Sequence, residues 1–424
     1  MEKLKNFLFT NLSPKQTILK NTFWLYFSEI ISKGSRLLVF IYIIRVLGPK
    51  NFGVFEYLLS FVGIFFLFAD FGTPTIFIRD YQQQQDKEKQ TNIFFSLKII
   101  LAVIFSLFAL VGYFLSKKFE GFLFYLGFVL FHFLMAIEGF FESFFIALEK
   151  AEKKFLFNTL MSLFLFIFIF LGLIFFKNIL AVILAYILSS FLGIIFAYFL
   201  TLPETKIKFL FDQQLAKHYL YDGLPLVLFG LLGYVFFTTD KIILAHLRPI
   251  EEVGYYSLAS RILSVLFGIS YLLNTAFYPY LAKKIGEKEE KIIKPLFKNI
   301  LLGLFLAGLL ITILIFILSP IIVPIFFGSK YNFSIEILQA FVWIIVFVFP
   351  TNFLDYFLIS NHRQWLDFWI TLLPAVLNVV LNFILIPFYG VYGAVYSSIS
   401  AQALNFILTF IASIYILKTI NPKS

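Results

Sequence analysis

The 424-residue chain is 61% hydrophobic and 14% charged, against about half and about a quarter in an ordinary soluble domain. It contains no cysteine, which excludes a disulfide framework, thiol chemistry and Cys-ligated metals. A formal net charge of +10 would raise the question of nucleic acid in a soluble chain, but here the basic residues have a topological explanation and no nucleic-acid partner is expected.

A bilayer core of about 30 Å needs about 20 helical residues. The first 20 residues are polar and carry Lys3, Lys5, Lys15 and Lys20 before a full-length span begins, so the first helix is expected to act as its own insertion signal. Twelve spans are expected, at 21–46, 54–80, 92–115, 121–148, 155–176, 178–202, 219–247, 253–282, 296–319, 333–361, 364–387 and 391–418. The divisions near Lys177 and Asn178 and at Ser319 and Pro320 are the least marked, because apolar residues run on to Phe327. No gap is long enough for a soluble domain, so the helix bundle itself must carry the function.

Of the 34 Lys and Arg, 22 fall in or beside the N-terminal segment, alternate gaps and the tail, and 7 in the opposite gaps. The remaining five, Lys33, Arg36, Lys98, Lys241 and Arg261, lie within spans. The bias places both termini in the cytoplasm. The halves also repeat. Leu47-Gly48-Pro49 followed by Gly53-Val54-Phe55 matches Leu247-Arg248-Pro249 followed by Gly254-Tyr255-Tyr256, and Asp86-Lys87-Glu88-Lys89 matches Glu287-Lys288-Glu289-Glu290. Six spans per copy is even, so both copies enter from the same side as a parallel repeat. The expectation is an all-α integral membrane protein of 12 transmembrane helices in two pseudo-symmetric six-helix lobes, residues 1–210 and 211–424.

Several motifs, in order and spacing, carry a family resemblance. Arg45-Val46-Leu47-Gly48-Pro49, Phe52-Gly53-Val54-Phe55 and Asp70-Phe71-Gly72 open the chain; Pro324-Ile325-Phe326-Phe327-Gly328 and Lys330-Tyr331 follow the ninth span. Asn378, Asn382, Ile386-Pro387, Gly390 and Gly393-Ala394 mark the last hairpin. Together they resemble the Wzx-type polysaccharide flippases of the multidrug/oligosaccharidyl-lipid/polysaccharide exporter superfamily. The resemblance implies a V-shaped pair of lobes, alternating access, and an undecaprenyl-diphosphate-linked oligosaccharide as substrate.

A charge in hydrocarbon costs about 2.5–3.5 kcal/mol even on the gentlest insertion scale, so each charge within a span needs a wet cavity or a partner. Glu29, Lys33 and Arg36 are spaced four then three and share one face of the first helix, with Ser28, Ser32 and Ser35 beside them. They lie about 10, 16 and 21 Å into the core. Two readings stand: Lys33 and Arg36 hold a substrate diphosphate, for which Arg offers bidentate contact, or Glu29 neutralises Lys33 while Arg36 snorkels outward. Arg261 and Lys241 are candidates for the same anion, with interhelical pairing as the alternative.

Asp70, Asp222 and Asp240, together with Glu29, are candidates for ion coupling or charge balance. Asp70 also sits beside the Gly72-Thr73-Pro74 break, which it would cap. Asp222 and Asp240 are five turns apart and share one face of a helix interrupted by Gly223, Pro225, Gly230 and Gly233. Arg79 and Asp80 read as an interfacial pair, and Asn378 and Asn382 as interhelical hydrogen-bond glue. His132, Glu138 and Glu142 read as a polar helix contact or a metal pair, and Asp355 as an orphan candidate for ion coupling.

No cofactor is expected beyond possible H⁺ or Na⁺ coupling, and no phosphate-binding loop of an ATPase is present. The expected function is a flippase of the cytoplasmic (inner) membrane serving O-antigen, capsule or similar polysaccharide biosynthesis. Membrane lipids and the polysaccharide polymerase machinery are its expected partners. The alternatives are a cation or multidrug exporter of the same superfamily, which would favour an acidic cavity, and a membrane ligase or polymerase acting on lipid-linked glycans.

Overall fold

The computed structural model describes residues 13–83, 86–115, 121–287 and 289–419; Lys3, Lys5 and Lys288 of the sequence reading lie outside the described residues. Helix α1 (Pro14–Asp70) begins at Ser13, whose hydroxyl accepts the Gln16 N–H at 3.3 Å, with proline in the first turn where its missing N–H costs nothing. This helix holds two spans. Gly48, at φ 71 and ψ 173, breaks it into arms 14–47 and 49–70. Pro49 disfavours the helical region for the residue before it, and glycine alone takes positive φ freely. The second arm ends at Phe71 and Gly72, both left-handed, and α2 (Thr73–Tyr81) completes the span.

The chain continues through α3 (Lys87–Leu115), α4 (Phe122–Ala147), α5 (Ala151–Phe175), α6 (Ile179–Thr201), α7 (Gln213–Leu247), α8 (Ile250–Gly286) and α9 (Glu290–Phe327). The tenth span is composite: α10 (Phe333–Phe341), a 3₁₀ turn (Val342–Ile344) and α11 (Ile345–Ser360). A closing hairpin is formed by α12 (Gln364–Tyr389) and α13 (Val391–Thr419). Among the described residues there is no strand, and 11 continuous helical segments are long and apolar enough to cross a membrane. The first of these, Leu19–Tyr81, carries two crossings, so the fold is the expected all-α bundle of twelve spans.

Several boundaries differ from expectation: helices α1, α3, α7 and α9 begin earlier than expected, at Pro14, Lys87, Gln213 and Glu290, and two ends also move. Helix α9 does not stop at Ser319 but runs through Pro320 and Pro324 to Phe327, since neighbouring groups and local adjustments satisfy the carbonyls that membrane prolines release. Helix α8 likewise continues past 282 to Gly286. At the other weak point the division holds: Lys177 is left-handed, and Asn178 caps α6 by accepting the Ala181 N–H at 2.9 Å.

The chain forms two compact units, Met1–Leu47 with Leu58–Leu231, and Gly48–Tyr57 with Leu232–Ser424. The division falls inside α7 rather than at 210/211, and a short stretch of α1 belongs to the second unit. Its anchor is a backbone contact: a Cβ on Gly53 would strike the Ile250 carbonyl, and one on Gly254 the Pro49 carbonyl. Gly53 and Gly254 are the equivalent glycines of the sequence repeat, and small residues are what let membrane helices approach this closely. In the first unit Gly223 packs on the Phe71 carbonyl in the same way.

Aromatic rings fill both interiors. Phe77 and Phe94 stack at 4.1 Å in the first unit, and Phe297 lies 5.5 and 4.8 Å from Phe353 and Phe357 in the second. Exposed apolar stripes such as Leu306, Leu310, Ile313 and Ile317 on α9 would be a liability in water and are the lipid face of a membrane protein.

Candidate functional site

In the first unit, α1 presents its charges outward. Lys33 pairs with Glu29 at 3.1 Å, with the two side chains 77% and 51% exposed, and Arg36 is exposed on the same face. The serines do not share that face. Ser28 and Ser32 are buried, and Ser28 accepts a hydrogen bond from Asn158 of α5 at 3.3 Å. The cause is the 100° turn per residue: Ser28 and Ser32 fall into the packed side, and the outward face carries the charges among exposed apolar residues such as Ile30 and Leu37.

Asp70 does not cap the break beside it with its side chain. The Thr73 hydroxyl donates to the Asp70 backbone carbonyl at 2.8 Å, while the carboxylate pairs at 2.5 Å with Lys98, itself buried in α3. Asp222 is one member of a four-residue network. Arg79 donates to Asp80 at 2.6 Å and to Asp222 at 2.7 Å, and His218 Nε2 meets Asp80 Oδ2 at 2.7 Å. The expected interfacial pair Arg79–Asp80 is therefore a clamp between α2 and the start of α7. Glu142 pairs with Lys154 at 3.2 Å, and His132 Nδ1 lies 2.8 Å from the Phe128 carbonyl. Among the described residues no group of three His, Cys, Asp or Glu could hold a metal.

In the second unit, the two expected anion-binding cations meet a residue that sequence reasoning missed. Glu56, fully buried in the second arm of α1, accepts Lys241 Nζ at 2.7 Å and Arg261 Nη2 and Nε at 2.7 and 3.1 Å. Lys241 is nearly buried, whereas the Arg261 side chain is 37% exposed. The arrangement again sets one carboxylate against two cations.

Asp240, one residue before Lys241, turns the other way. It is 1% exposed and accepts hydrogen bonds from Tyr256 of α8 at 2.6 Å, Asn382 of α12 at 2.5 Å and Ser398 of α13 at 2.5 Å. Asp240 and Lys241 thus do not form a local pair; each has partners on other helices. Asp222 and Asp240 belong to different compact units and share no partner. Asn378 and Asn382 do hold helices together, but the group they hold is an acid. Asn378 Nδ2 and Asn382 Oδ1 are buried without hydrogen-bond partners. Turned over, Asn382 would add an oxygen to those of Asp240, Asn378, Tyr256 and Ser398. This is a donor set for a proton or a hard monovalent cation, since such cations take oxygen ligands.

Outside the spans, burial pushes the Glu204 carboxyl up. Hydrogen bonds from Lys150 and Lys153, at 2.5 and 2.7 Å, outweigh it and hold the group below the usual glutamate range. Lys153 also donates to the Leu200 carbonyl at 2.7 Å, tying the end of α6 to the start of α5.

The architecture matches solved transporters. A multidrug resistance MATE family transporter of the MOP superfamily, in its inward-facing conformation, superposes with a TM-score of 0.75 at 15% identity, over 95% of this chain and 99% of that one. The lipid II flippase MurJ, in its inward closed conformation, gives 0.74 at 14% identity over 95% and 90%. A MOP superfamily transporter from Pyrococcus furiosus gives 0.62 at 16% identity over 99% and 98%. A search of curated protein sequences finds no significant match. The fold is that of a multi-pass, all-α membrane protein, and these transporters share it. A model of MatE proteins matches residues 225–384, and one of polysaccharide biosynthesis proteins matches residues 18–285. The chain belongs to the polysaccharide biosynthesis protein family.

Proposed function

We propose that this protein is a flippase that moves undecaprenyl-diphosphate-linked oligosaccharides across the cytoplasmic membrane by alternating access, for synthesis of a surface polysaccharide. The observation that carries the reading is the match of residues 18–285 to polysaccharide biosynthesis proteins, and cations within the spans accord with it. Glu29 lies with Lys33 and Arg36 on one face of α1, and Glu56 receives Lys241 and Arg261. Cations persist at such depth where an anion visits, and a lipid diphosphate is that anion. Lys33 and Arg36 are the diphosphate-binding residues of this reading in the first unit; in the second unit Arg261, partly exposed, is a further candidate, and Lys241, more deeply buried, holds Glu56 in place.

Both termini face the cytoplasm, as the lysine bias requires. Asp240 is the coupling acid, loading a proton or Na⁺ in its oxygen-lined setting, while Glu29, Asp70 and Asp222 balance neighbouring cations. Purified protein in liposomes, offered a fluorescent undecaprenyl-diphosphate oligosaccharide or a cationic dye, tests the reading. Gradient-dependent movement of the lipid supports it. Export of the dye with no movement of the lipid replaces it with the exporter alternative.

A further inference from the structure

None of these roles uses a cluster of neutral polar and aromatic side chains between α8 and α11, which pack together in the second compact unit. On α8, Ser270, Tyr271, Asn274 and Tyr278 recur at helical spacing and share one side. On α11, Asn352 and Tyr356 are four apart and do the same. Asn274 is 1% exposed and donates to the Ser270 carbonyl at 2.8 Å and to its hydroxyl at 3.4 Å, while Asn352 donates to that hydroxyl at 3.0 Å. Oδ1 of Asn274 is buried with no hydrogen-bond partner among the described residues. The Tyr356 ring lies 6.4 Å from that of Tyr271 and 5.1 Å from that of Tyr278. Tyr271 and Tyr278 are two turns apart, so the three rings make a platform about 10 Å long. Tyr271 is 57% exposed, and Tyr278, Tyr356 and Asn352 are half-buried, so the platform is open along one edge.

Amides and hydroxyls both donate and accept, so these groups can meet the many hydroxyls of a sugar without any charge. Aromatic faces cover the apolar C–H faces of a sugar ring, and tyrosine adds a polar tip for the hydroxyls beside them. Sites for small molecules combine such aromatic walls with a few placed polar groups. Ser270 and Asn274 fix the floor, Asn274 holds a spare acceptor, and Asn352 and the tyrosines are the groups within reach of a ligand. Tyrosines of a membrane interface stand at the headgroup level as separate anchors; here the rings close on one another across two helices, next to two amides.

We propose that Tyr271, Tyr278 and Tyr356, with Asn274 and Asn352, form a subsite for the sugar part of the transported lipid. The rings stack on the sugar, and the amides hydrogen-bond its hydroxyls. With both termini in the cytoplasm the eighth and tenth spans run inward, which places 271–278 and 352–356 toward the side from which the substrate is loaded. The inference rests on the flippase reading above and adds to it the groups that take the glycan.

The test is binding of two probes to the purified full-length protein in nanodiscs: undecaprenyl diphosphate, and the same lipid carrying the oligosaccharides of the protein's own cells. Wild type should bind the glycosylated lipid more tightly. Tyr271→Ala should lose about threefold to tenfold in affinity for the glycosylated lipid, the range of one aromatic contact, with the bare lipid unchanged. Tyr271→Phe keeps the ring and should keep most of that affinity. Tyr280→Ala removes an exposed tyrosine half a turn away on α8 and should bind both lipids as wild type does. A Tyr271→Ala variant that binds the glycosylated lipid like wild type, or that weakens on both lipids alike, overturns the proposal and leaves the flippase reading standing. So does a wild type that does not distinguish the two lipids. A wild type that binds neither lipid overturns the flippase reading and the subsite with it.

Discussion

Glu56 is the residue on which the second unit's cations depend. Replacing one partner of a buried ion pair strands the other and costs about 3–5 kcal/mol, whereas replacing the pair by apolar groups is often neutral. Glu56→Gln should therefore lower the thermal midpoint of the detergent-purified protein sharply, and E56Q combined with Lys241→Met should recover part of the loss. Equal instability of single and double variants would show that the ion pair is not what Glu56 supplies. Asp240→Asn keeps shape and most hydrogen bonds but removes the ionisable group. It should leave folding intact and abolish the dependence of transport on an H⁺ or Na⁺ gradient; unchanged gradient dependence would remove Asp240 from the coupling role. The charges themselves were legible, because Lys33, Arg36, Lys241 and Arg261 stand out in apolar runs, and so was Glu29 as the partner of Lys33. The partner of Lys241 and Arg261 was not. Glu56 sits at the start of a span, directly after a glycine motif, where an acid reads as interfacial. It meets Lys241 and Arg261 across 185 and 205 positions of sequence, which helical periodicity does not reach.

At the scale of elements, closely packed glycines decide where helices touch. A methyl group on Gly53 or Gly254 must displace a backbone carbonyl rather than a flexible side chain. Overpacking of this kind costs about 1–3 kcal/mol. Gly53→Ala and Gly254→Ala should each reduce thermal stability by that order, while Gly233→Ala, which meets nothing within 4 Å, serves as the neutral control. Similar losses in all three variants would contradict the packing argument. The α5–α6 tie responds to pH with a definite sign. Glu204 is held below its ordinary range in the folded state, so its contribution is present above the unfolded pKa and lost as pH falls through the folded one. The E204Q variant should show a shallower loss of thermal stability on acidification than wild type. Most spans were readable from hydropathy, and the break at Gly48-Pro49 from local chemistry. The extension of α9 through Pro320 and Pro324 was not, because proline ends a helix in water more reliably than in a bundle that can satisfy the released carbonyls.

At the scale of the molecule, the repeat was visible in Gly53 and Gly254, but a linear division into halves assumes that each half is contiguous. It is not: residues 48–57 belong with the second unit and the start of α7 with the first. Both exchanges occur at close glycine contacts whose partners are distant in sequence. The substrate reading rests on family membership and on the cations Lys33, Arg36, Lys241 and Arg261 that lie within the spans. The most direct test is translocation of a fluorescent undecaprenyl-diphosphate oligosaccharide in proteoliposomes by wild type and by Lys33→Ala/Arg36→Ala. The account predicts flipping by wild type and a loss of at least about tenfold in the double variant, which corresponds to about 1.4 kcal/mol of lost interaction. Equal rates in the two proteins would contradict the cationic site, and no flipping by wild type under any ion gradient would contradict the function.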